Sequence, residues 1–250
     1  MERKFSTSFS HLFHQSSKDP AKGHPPIPWD SSLWPEEWKK IEFKKYPRFR
    51  KIALSNSRGI SDANLFSIIA NRSSQRDFTG GSITKNELST ILKYSCGETT
   101  KVDERFRRAQ PSGGGLFPIE TYVLVPEHIE DIKNGIYHYD VQDNQLDVLW
   151  ERPFSKEFLD TLFRYLWVKN AAVVFIMTAV FKRVQKKYGE RGYRLVLLES
   201  GHIGQNIYLA SGALGIKCCA LAGTNDENIE KLLDIDGIQE SVVYAVALGK

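Results

Sequence analysis

The stretch Asn71-Arg72-Ser73-Ser74-Gln75-Arg76-Asp77-Phe78 brings two arginines and two serines within five residues of sequence. Arginine binds a phosphate through two parallel hydrogen bonds, and serine hydroxyls bond phosphate oxygens or a sugar alcohol. On a helix, a spacing of four would place Arg72 and Arg76 on one face. Taken alone, the stretch fits a solvated basic turn equally well, so its meaning depends on the segments around it.

A helix is predicted on each side of this stretch. Before it, residues 61–70 form a short amphipathic pattern that begins with the capping pair Ser61-Asp62. After it, a glycine turn leads to the capping box Thr84-Lys85-Asn86-Glu87, which starts a helix expected to end near Gly97.

The composition excludes several classes of protein. The chain has 250 residues, of which 41% are hydrophobic and 26% are charged, as in ordinary soluble domains. A net charge of +4 is too small to argue for a nucleic-acid partner. The longest apolar run, residues 171–180, is about half of the ~20 residues that a membrane helix needs. With three cysteines, two of them adjacent, we expect no disulfide framework and a cytoplasmic location without a membrane partner.

Residues 1–50 are interpreted as an N-terminal extension of a domain formed by residues 51–250. The segment contains six prolines but also Trp29, Trp34 and Trp38. Disordered tails are poor in aromatic residues, so we expect this extension to wrap over the domain or over a partner subunit. His11 and His14 are three residues apart but have no further ligand cluster beside them, and we expect no metal site.

The rest of the chain mixes strands and helices without strict alternation, which predicts an α+β domain with a mixed, mostly antiparallel central sheet flanked by helices. Charged residues 101–108 are expected to form an exposed loop. The predicted strands are residues 119–125, 135–139, 146–150, 171–180, 215–222 and 242–248, and the predicted helices are residues 154–168, 193–214 and a helix capped by Asn225-Asp226 that ends at Leu233.

The long helix predicted for residues 193–214 is rich in small residues, including Gly201, Gly204 and Gly212. Because glycine costs a helix about 1 kcal/mol relative to alanine, such a pattern suggests that another backbone packs closely against it. Glu199, His202 and Asn206 fall on one side of this helix, as an ordinary polar edge or as a polar seam in a subunit interface.

Three further motifs could carry chemistry. Pro111-Ser112-Gly113-Gly114-Gly115-Leu116-Phe117-Pro118 is a glycine loop whose backbone can approach a ligand closely. Lys187-Tyr188 precedes the long helix, and a nearby cation can lower the pKa of a tyrosine toward that of a useful base. The strand that ends in Ala222-Gly223 can present its amide groups to a flat ring.

Together these segments resemble the FMN-dependent nitroreductase superfamily, and within it the azoline dehydrogenases of peptide natural-product pathways. The resemblance covers about three quarters of the chain in the expected order. It rests on Arg72-Ser73-Ser74-Gln75-Arg76-Asp77-Phe78, Pro111-Ser112-Gly113-Gly114-Gly115-Leu116-Phe117-Pro118-Ile119-Glu120, Lys187-Tyr188-Gly189-Glu190-Arg191-Gly192-Tyr193-Arg194 and Glu199-Ser200-Gly201-His202-Ile203-Gly204-Gln205-Asn206.

This resemblance implies FMN bound between the two protomers of a homodimer. Arg72, Ser73, Ser74 and Arg76 would hold its phosphate and ribityl chain, Pro111, Ser112, Gly113 and Gly114 would contact the flavin from the other subunit, and Ala222 and Gly223 would face the isoalloxazine ring. Lys250 is the candidate for the basic C-terminal residue that contacts the phosphate in many nitroreductases.

The implied activity is the oxidation of an azoline ring to an azole in a modified peptide, with Tyr188 as the base and Lys187 as its electrostatic helper. A cyclodehydratase complex would be the expected partner. Two alternatives remain open: an NAD(P)H-dependent nitroreductase or quinone reductase, and a non-catalytic flavin-binding scaffold inside a peptide-modifying complex.

Overall fold

The computed structural model describes residues 9–18, 30–55, 63–99 and 106–250. Within them, seven strands form one sheet in the order β1-β4-β3-β2-β5-β7-β6, and each neighbouring pair is antiparallel. The strands are β1 (Lys51–Ala53), β2 (Ile119–Val125), β3 (Gly135–Asp140), β4 (Gln145–Glu151), β5 (Val173–Val180), β6 (Lys217–Leu221) and β7 (Glu240–Gly249). The predicted α+β class and the antiparallel sheet are confirmed.

Helices cover both faces of this sheet. The α-helices of the described residues are α1 (Phe9–Ser16), α2 (Glu36–Lys39), α3 (Leu65–Asn71), α4 (Lys85–Cys96), α5 (Lys156–Leu162), α6 (Lys182–Tyr188), α7 (Arg191–Ala213) and α8 (Asp226–Leu233). Three 3₁₀ turns lie at Ser31–Leu33, Gly113–Gly115 and Leu166–Asn170. None of the helices in the described part of the chain combines the length and apolarity needed to cross a membrane.

The hydrophobic core has one half on each face of the sheet because β5 is buried on both sides. Along β5, Phe175 and Met177 point toward α4 and α7, while Val174 and Ile176 point toward α5 and α8. This is the period of two that a strand imposes on its side chains. The continuous apolar run at residues 171–180 therefore predicted an interior strand correctly.

Two predicted helices are wrong in part. The helix before the arginine stretch begins at Leu65, where the Asn64 side chain accepts hydrogen bonds from two backbone N–H groups, while Ser61-Asp62 lies outside the described residues. The helix expected over residues 154–168 ends at Leu162, because the Arg164 N–H donates to the Gly223 carbonyl at 2.8 Å. The first boundary is fixed by the side-chain cap of Asn64, and the second by a backbone hydrogen bond to a residue distant in sequence.

Residues 30–50 of the extension lie on the domain of the same chain, which is one of the two predicted possibilities. Lys44 Nζ lies 2.6 Å from both the Tyr122 hydroxyl and a Glu240 carboxylate oxygen. Lys45 Nζ is held at 2.8 Å by both carboxylate oxygens of Asp140. These buried or half-buried partners fix the extension to the sheet.

The small residues of α7 pack against the chain itself. A Cβ at Gly204 would lie 2.6 Å from a ring carbon of Tyr244, and one at Gly212 would lie 3.3 Å from Ile68. Gly201 differs, since a Cβ there would meet nothing within 4 Å. The prediction of a second backbone against Gly204 is therefore wrong, and Gly201 marks the outward face of the helix.

Candidate functional site

The arginine stretch is extended and exposed rather than helical. Its backbone leaves α3 at Arg72 and runs beside β6, where the Gln75 N–H donates to the Cys218 carbonyl at 3.0 Å. The shared helix face that the spacing of Arg72 and Arg76 would give on a helix is therefore not formed. The cause is this long-range backbone pairing, which the local spacing does not encode.

Tyr208 of α7 organises the stretch. Its hydroxyl accepts a hydrogen bond from the Ala220 N–H at 2.8 Å and lies 2.8 Å from the Ser74 hydroxyl. The Arg72 guanidinium lies 5.4 Å from the centroid of the Tyr208 ring, within cation–π range. A cavity of about 460 Å³ opens here, lined by Arg72, Ser73 and Tyr208 among others.

Arg76 lies on the other side of the stretch, near the thiol of Cys219. Burial raises the pKa of that thiol, although the Arg76 charge opposes the effect. The three cysteines of the chain are buried and free of disulfides, in agreement with the sequence. Arg72, Ser73, Ser74 and Arg76 are therefore all exposed on one extended segment that runs beside β6.

The other predicted flavin residues near this edge have separate surroundings. Ala222 is exposed, while Gly223 is packed so tightly that a Cβ would lie 3.0 Å from the Tyr165 ring. The Lys250 carbonyl accepts hydrogen bonds from Thr79, and its ammonium group pairs with Glu87 at 3.4 Å. Lys250 is thereby tied to the start of α4.

The glycine loop lies at the opposite end of α7, against Lys187 and Tyr188. Gly114 has a left-handed φ of 66°, and a Cβ there would lie 3.0 Å from the Tyr188 hydroxyl and 3.2 Å from Lys187 Nζ. A Cβ at Gly113 would lie 3.1 Å from a methyl group of Leu195. Only glycine permits both the backbone angle and the close approach at position 114. The structure therefore joins two motifs that are separate in the sequence.

A buried carboxyl holds this loop. Glu199 accepts hydrogen bonds from the Ser112 hydroxyl at 2.6 Å and from the Gln110 amide at 3.2 Å. Ser112 in turn accepts a bond from the Phe117 N–H at 2.9 Å. Burial raises the pKa of Glu199 to about 7, although its two hydrogen-bond donors act against this. Glu199 is thus buried beside the glycine loop and is not an exposed polar edge of the helix.

The remaining members of the predicted polar face behave differently. Asn206 donates to the Ser95 carbonyl at 3.2 Å within the same chain, and His202 is exposed.

Arg108, expected in an exposed loop, is buried with its guanidinium 4.8 Å from the centroid of the Phe117 ring. Residues 101–105 of that predicted loop lie outside the described residues.

Lys187 is covered by the extension. Its Nζ lies 3.0 Å from the centroid of the Trp34 ring, 5.6 Å from that of Trp38 and 5.4 Å from that of Tyr188. Burial lowers the pKa of Lys187 and raises the pKa of Tyr188. The expectation that a neighbouring cation lowers the tyrosine pKa is therefore wrong in this chain, where desolvation determines both directions.

A buried ionic network supports the helix that carries Lys187. Arg183, one turn earlier in α6, donates to Glu120 at 2.5 Å. His138 bridges Glu120 at 2.9 Å and Asp147 at 3.0 Å through its two ring nitrogens, and Lys51 pairs with Asp147. Burial opposes it, but Arg183 and His138 hold the pKa of Glu120 down to about 2. The network fixes α6 to the sheet and so positions Lys187.

Within one chain the two groups of predicted residues do not form one pocket. The glycine loop contacts α7 at Leu195, and the arginine stretch contacts it at Tyr208. Thirteen residues of helix separate these contacts, a distance of about 20 Å at 1.5 Å per residue. A ligand that uses both groups at once would need a second copy of the chain.

Sequence analysis did not predict that several residues of this region lie beside the glycine loop. Trp34, Trp38 and Arg108 come together with the glycine loop only through contacts distant in sequence. The aromatic content of the extension was a usable signal that it packs on something, but not that it reaches Lys187. Glu199 was noticed for its helical spacing, which did not reveal its burial.

The seven-stranded antiparallel sheet, with helices on both faces and these motifs in order along the chain, is the fold of one known family of proteins. The nitroreductase family matches residues 69–250, most of the chain, and the protein belongs to that family.

Its relatives include both general and peptide-processing members. A protein of Methanocaldococcus jannaschii, named as a candidate nitroreductase, is 30% identical over 70% of this chain and 87% of its own length. The trifolitoxin-processing protein of Rhizobium leguminosarum is 33% identical over 64% of this chain and 47% of its own length. The microcin B17-processing protein of Escherichia coli is 29% identical over 68% of each chain.

Solved structures show the same fold. A nitroreductase-like protein of Anabaena variabilis superposes with a TM-score of 0.69 at 25% identity, covering 96% of this chain and 45% of that one. A chain of the Escherichia coli microcin synthetase complex, which contains a truncated pro-microcin, has a TM-score of 0.60 at 20% identity and covers 96% and 91%. A Desulfovibrio desulfuricans structure with FMN bound has a TM-score of 0.52 at 19% identity, covering 75% and 86%. The chain spans about half the length of two of these proteins.

Proposed function

We propose that the protein is an FMN-dependent oxidoreductase that oxidises azoline rings of a modified peptide to azoles. The observation that carries this proposal is the contact of Gly114 with both Lys187 and Tyr188, which places two proton-transfer groups beside a loop that can approach a flat ring. The family supports the oxidoreductase class, and the two peptide-processing relatives support a peptide substrate.

The donor set at the arginine stretch suits FMN. Arg72 and Arg76 supply two guanidinium groups, and Ser73 and Ser74 supply hydroxyls, all on exposed backbone beside a cavity of about 460 Å³. A phosphate with two negative charges favours such planar cationic donors. We assign the phosphate and ribityl chain to these four residues.

The proposed active unit is a homodimer. The two groups of flavin-binding residues lie about 20 Å apart along α7, and an antiparallel partner would bring the glycine loop of one copy to the arginine stretch of the other. The outward face of α7 carries Leu198, which is 55% exposed, beside the open position Gly201. In this arrangement Pro111, Ser112, Gly113 and Gly114 contact the flavin from the second subunit, Ala222 and Gly223 lie near its ring, and Lys250 contributes positive charge.

Azoline oxidation removes a proton and a hydride from neighbouring ring atoms. When bound, FMN supplies the hydride acceptor, with oxygen as the terminal oxidant. The proton is handled by Lys187 and Tyr188. Burial lowers the pKa of Lys187 and raises the pKa of Tyr188, so desolvation shifts both groups toward their neutral forms. In this proposal the two side chains act as a pair that takes up the ring proton.

The same proposal extends to the setting of the protein. We place residues 1–50 as an extension of a catalytic domain formed by residues 51–250, in a cytoplasmic enzyme that works with a cyclodehydratase. The M. jannaschii relative favours a second candidate, the reduction of nitroaromatics or quinones by NAD(P)H.

The test uses the purified protein after loading with FMN. A synthetic thiazoline peptide should lose the mass of two hydrogen atoms in air, as followed by mass spectrometry, and oxygen should be consumed in equal amount. The second candidate predicts no change in the peptide but steady oxidation of NAD(P)H when a nitroaromatic acceptor is added. Flavin that no tested substrate reduces would instead indicate a scaffold.

A further inference from the structure

A second cavity, of about 910 Å³, lies between the extension and the glycine loop. Residues 31–41 of the extension, here called the strap, form one wall through Trp34, Trp38 and Ile41. Gly114 and Ser112 form part of the opposite wall. Pockets of roughly 300–1,000 Å³ hold whole small ligands. This space therefore exceeds what a single five-membered ring needs and has room for neighbouring peptide groups.

The strap gives the cavity an aromatic wall next to Lys187. The ring of Trp34 lies over Lys187 Nζ, and Trp38 lies 5.6 Å from the same atom on the cavity side. Aromatic rings stack on planar heterocycles and stabilise them beyond the burial of apolar area. The wall is thus suited to a flat ring held against Trp34 and Trp38, with Lys187 packed on Trp34.

Buried polar atoms without partners surround this cavity. Besides Arg183 Nε, three buried side-chain atoms of the described residues make no hydrogen bond, and these are Arg108 Nε, Gln110 Oε1 and Lys187 Nζ. Unpaired buried polar groups are rare and call for a ligand or a specific role. They comprise an acceptor and two donors, the combination that a peptide group satisfies. Arg108 and Gln110 are lining residues of the cavity, and Lys187 contacts the lining residue Trp34.

The charge of the lining is positive. Lys39, Arg107 and Arg108 line the cavity, and no acidic residue is found among its described lining residues. Lys39 is balanced in part by Glu36 at 2.8 Å, and the buried Arg108 interacts with the charges of Glu120 and Glu199, so the exposed Arg107 supplies the main positive charge of the lining. The lining therefore favours neutral or acidic peptide over basic peptide.

We propose that the strap is the substrate-binding wall of the enzyme, with Trp34 and Trp38 stacking on a heterocyclic ring of a peptide whose flanking residues are neutral or acidic. This inference rests on the proposed function for the identity of the ring. Nothing in the sequence of the strap assigns it this role, since its contacts with Lys187 span more than a hundred residues of chain.

The experiment measures binding apart from turnover. The probe is a fluorescein-labelled peptide with one thiazole, the stable product ring, flanked by aspartates or by lysines, and anisotropy is measured on the FMN-loaded protein. Trp34→Ala and Trp38→Ala should each weaken binding about tenfold, and Trp38→Phe should keep it within about threefold of the parent. Leu33→Ala is the matched control, because Leu33 is in the strap, is 69% exposed and does not line the cavity.

The parent alone gives an independent measurement if a tryptophan variant fails to fold, as judged by lost FMN. It should bind the aspartate-flanked peptide about tenfold more tightly than the lysine-flanked one, with a smaller ratio at high salt. Folded Trp34→Ala and Trp38→Ala that bind like the parent would overturn the inference, as would a preference for lysine flanks. Tryptophan-dependent binding without peptide oxidation would support the strap and refute the proposed reaction. Peptide oxidation at the parental rate by both folded tryptophan variants would support the proposed reaction and refute the role of the strap.

Discussion

Replacing Glu199 with glutamine is expected to change how the stability of the protein depends on pH. Glu199 is 2% exposed and accepts hydrogen bonds from Ser112 and Gln110. A glutamine keeps the size of the side chain and resembles the protonated acid. It cannot ionise, so it removes the penalty of a buried charge while keeping the glycine loop in place.

The magnitude follows from the pKa. In the unfolded chain the carboxyl has its ordinary value of 4.5, and in the folded chain burial raises the pKa of Glu199 to about 7. Since the folded state binds this proton more tightly, the stabilising contribution is complete below pH 4.5 and is lost as the pH rises through 7. At about 1.4 kcal/mol per tenfold change in a proton equilibrium, ionised Glu199 costs the fold about 3 kcal/mol above that pH.

The assay is thermal unfolding of the parent and of Glu199→Gln at pH 5 and pH 8.5. The free energy of unfolding of the variant minus that of the parent should be about 2.5 kcal/mol larger at pH 8.5 than at pH 5. For a chain of this length, this corresponds to roughly 5–10 °C in Tm. Glu127→Gln, in an exposed loop, should show no such gain. An equal difference between Glu199→Gln and the parent at both pH values would refute the argument, since it would mean that Glu199 is not a buried titrating group.

Three further predictions test the flavin site, the proton-transfer pair and the dimer. Arg72→Ala should weaken FMN about tenfold to a hundredfold in a fluorescence titration, because a charge-assisted bond contributes roughly 1.5–3 kcal/mol; unchanged affinity would remove Arg72 from the phosphate site. Lys187→Met and Tyr188→Phe should each lower azoline oxidation by about 10²–10⁴-fold while keeping FMN, and the double variant should be little worse than the worse single one; full activity of either would remove it from catalysis. Gly201→Leu should sediment as a folded monomer with weakened flavin binding, whereas Gly204→Leu should fail to fold because its side chain meets Tyr244; a Gly201→Leu dimer of parental stability would exclude this face of α7 as the interface.

The elements that sequence reasoning predicted well are those specified by neighbouring residues. The capping box at Thr84 and Glu87 is formed as expected, and the helix ends at Cys96 beside the predicted Gly97. The strand at residues 119–125 has the predicted bounds. In each case the signal is a cap or a period of side chains, which acts within a few residues.

The errors arise where a distant partner decides the conformation. The spacing of Arg72 and Arg76 suited a helix, but the pairing of Gln75 with Cys218 draws the backbone into an extended form. Arg108 looked like a loop charge until the fold placed it against Phe117. Sequence pattern gives the chemical type of such residues but not their burial, which depends on contacts across the whole chain.

The arrangement along α7 explains why flavin binding and dimerisation would be one event. Tyr208 organises the arginine stretch at one end of the helix, while Leu195 and Glu199 support the glycine loop at the other. A helix is stiff, so one chain cannot fold these two ends around a single ligand. In the proposed dimer, a ligand held by both groups would bind across the two copies, and its binding free energy would add to that of the subunit interface.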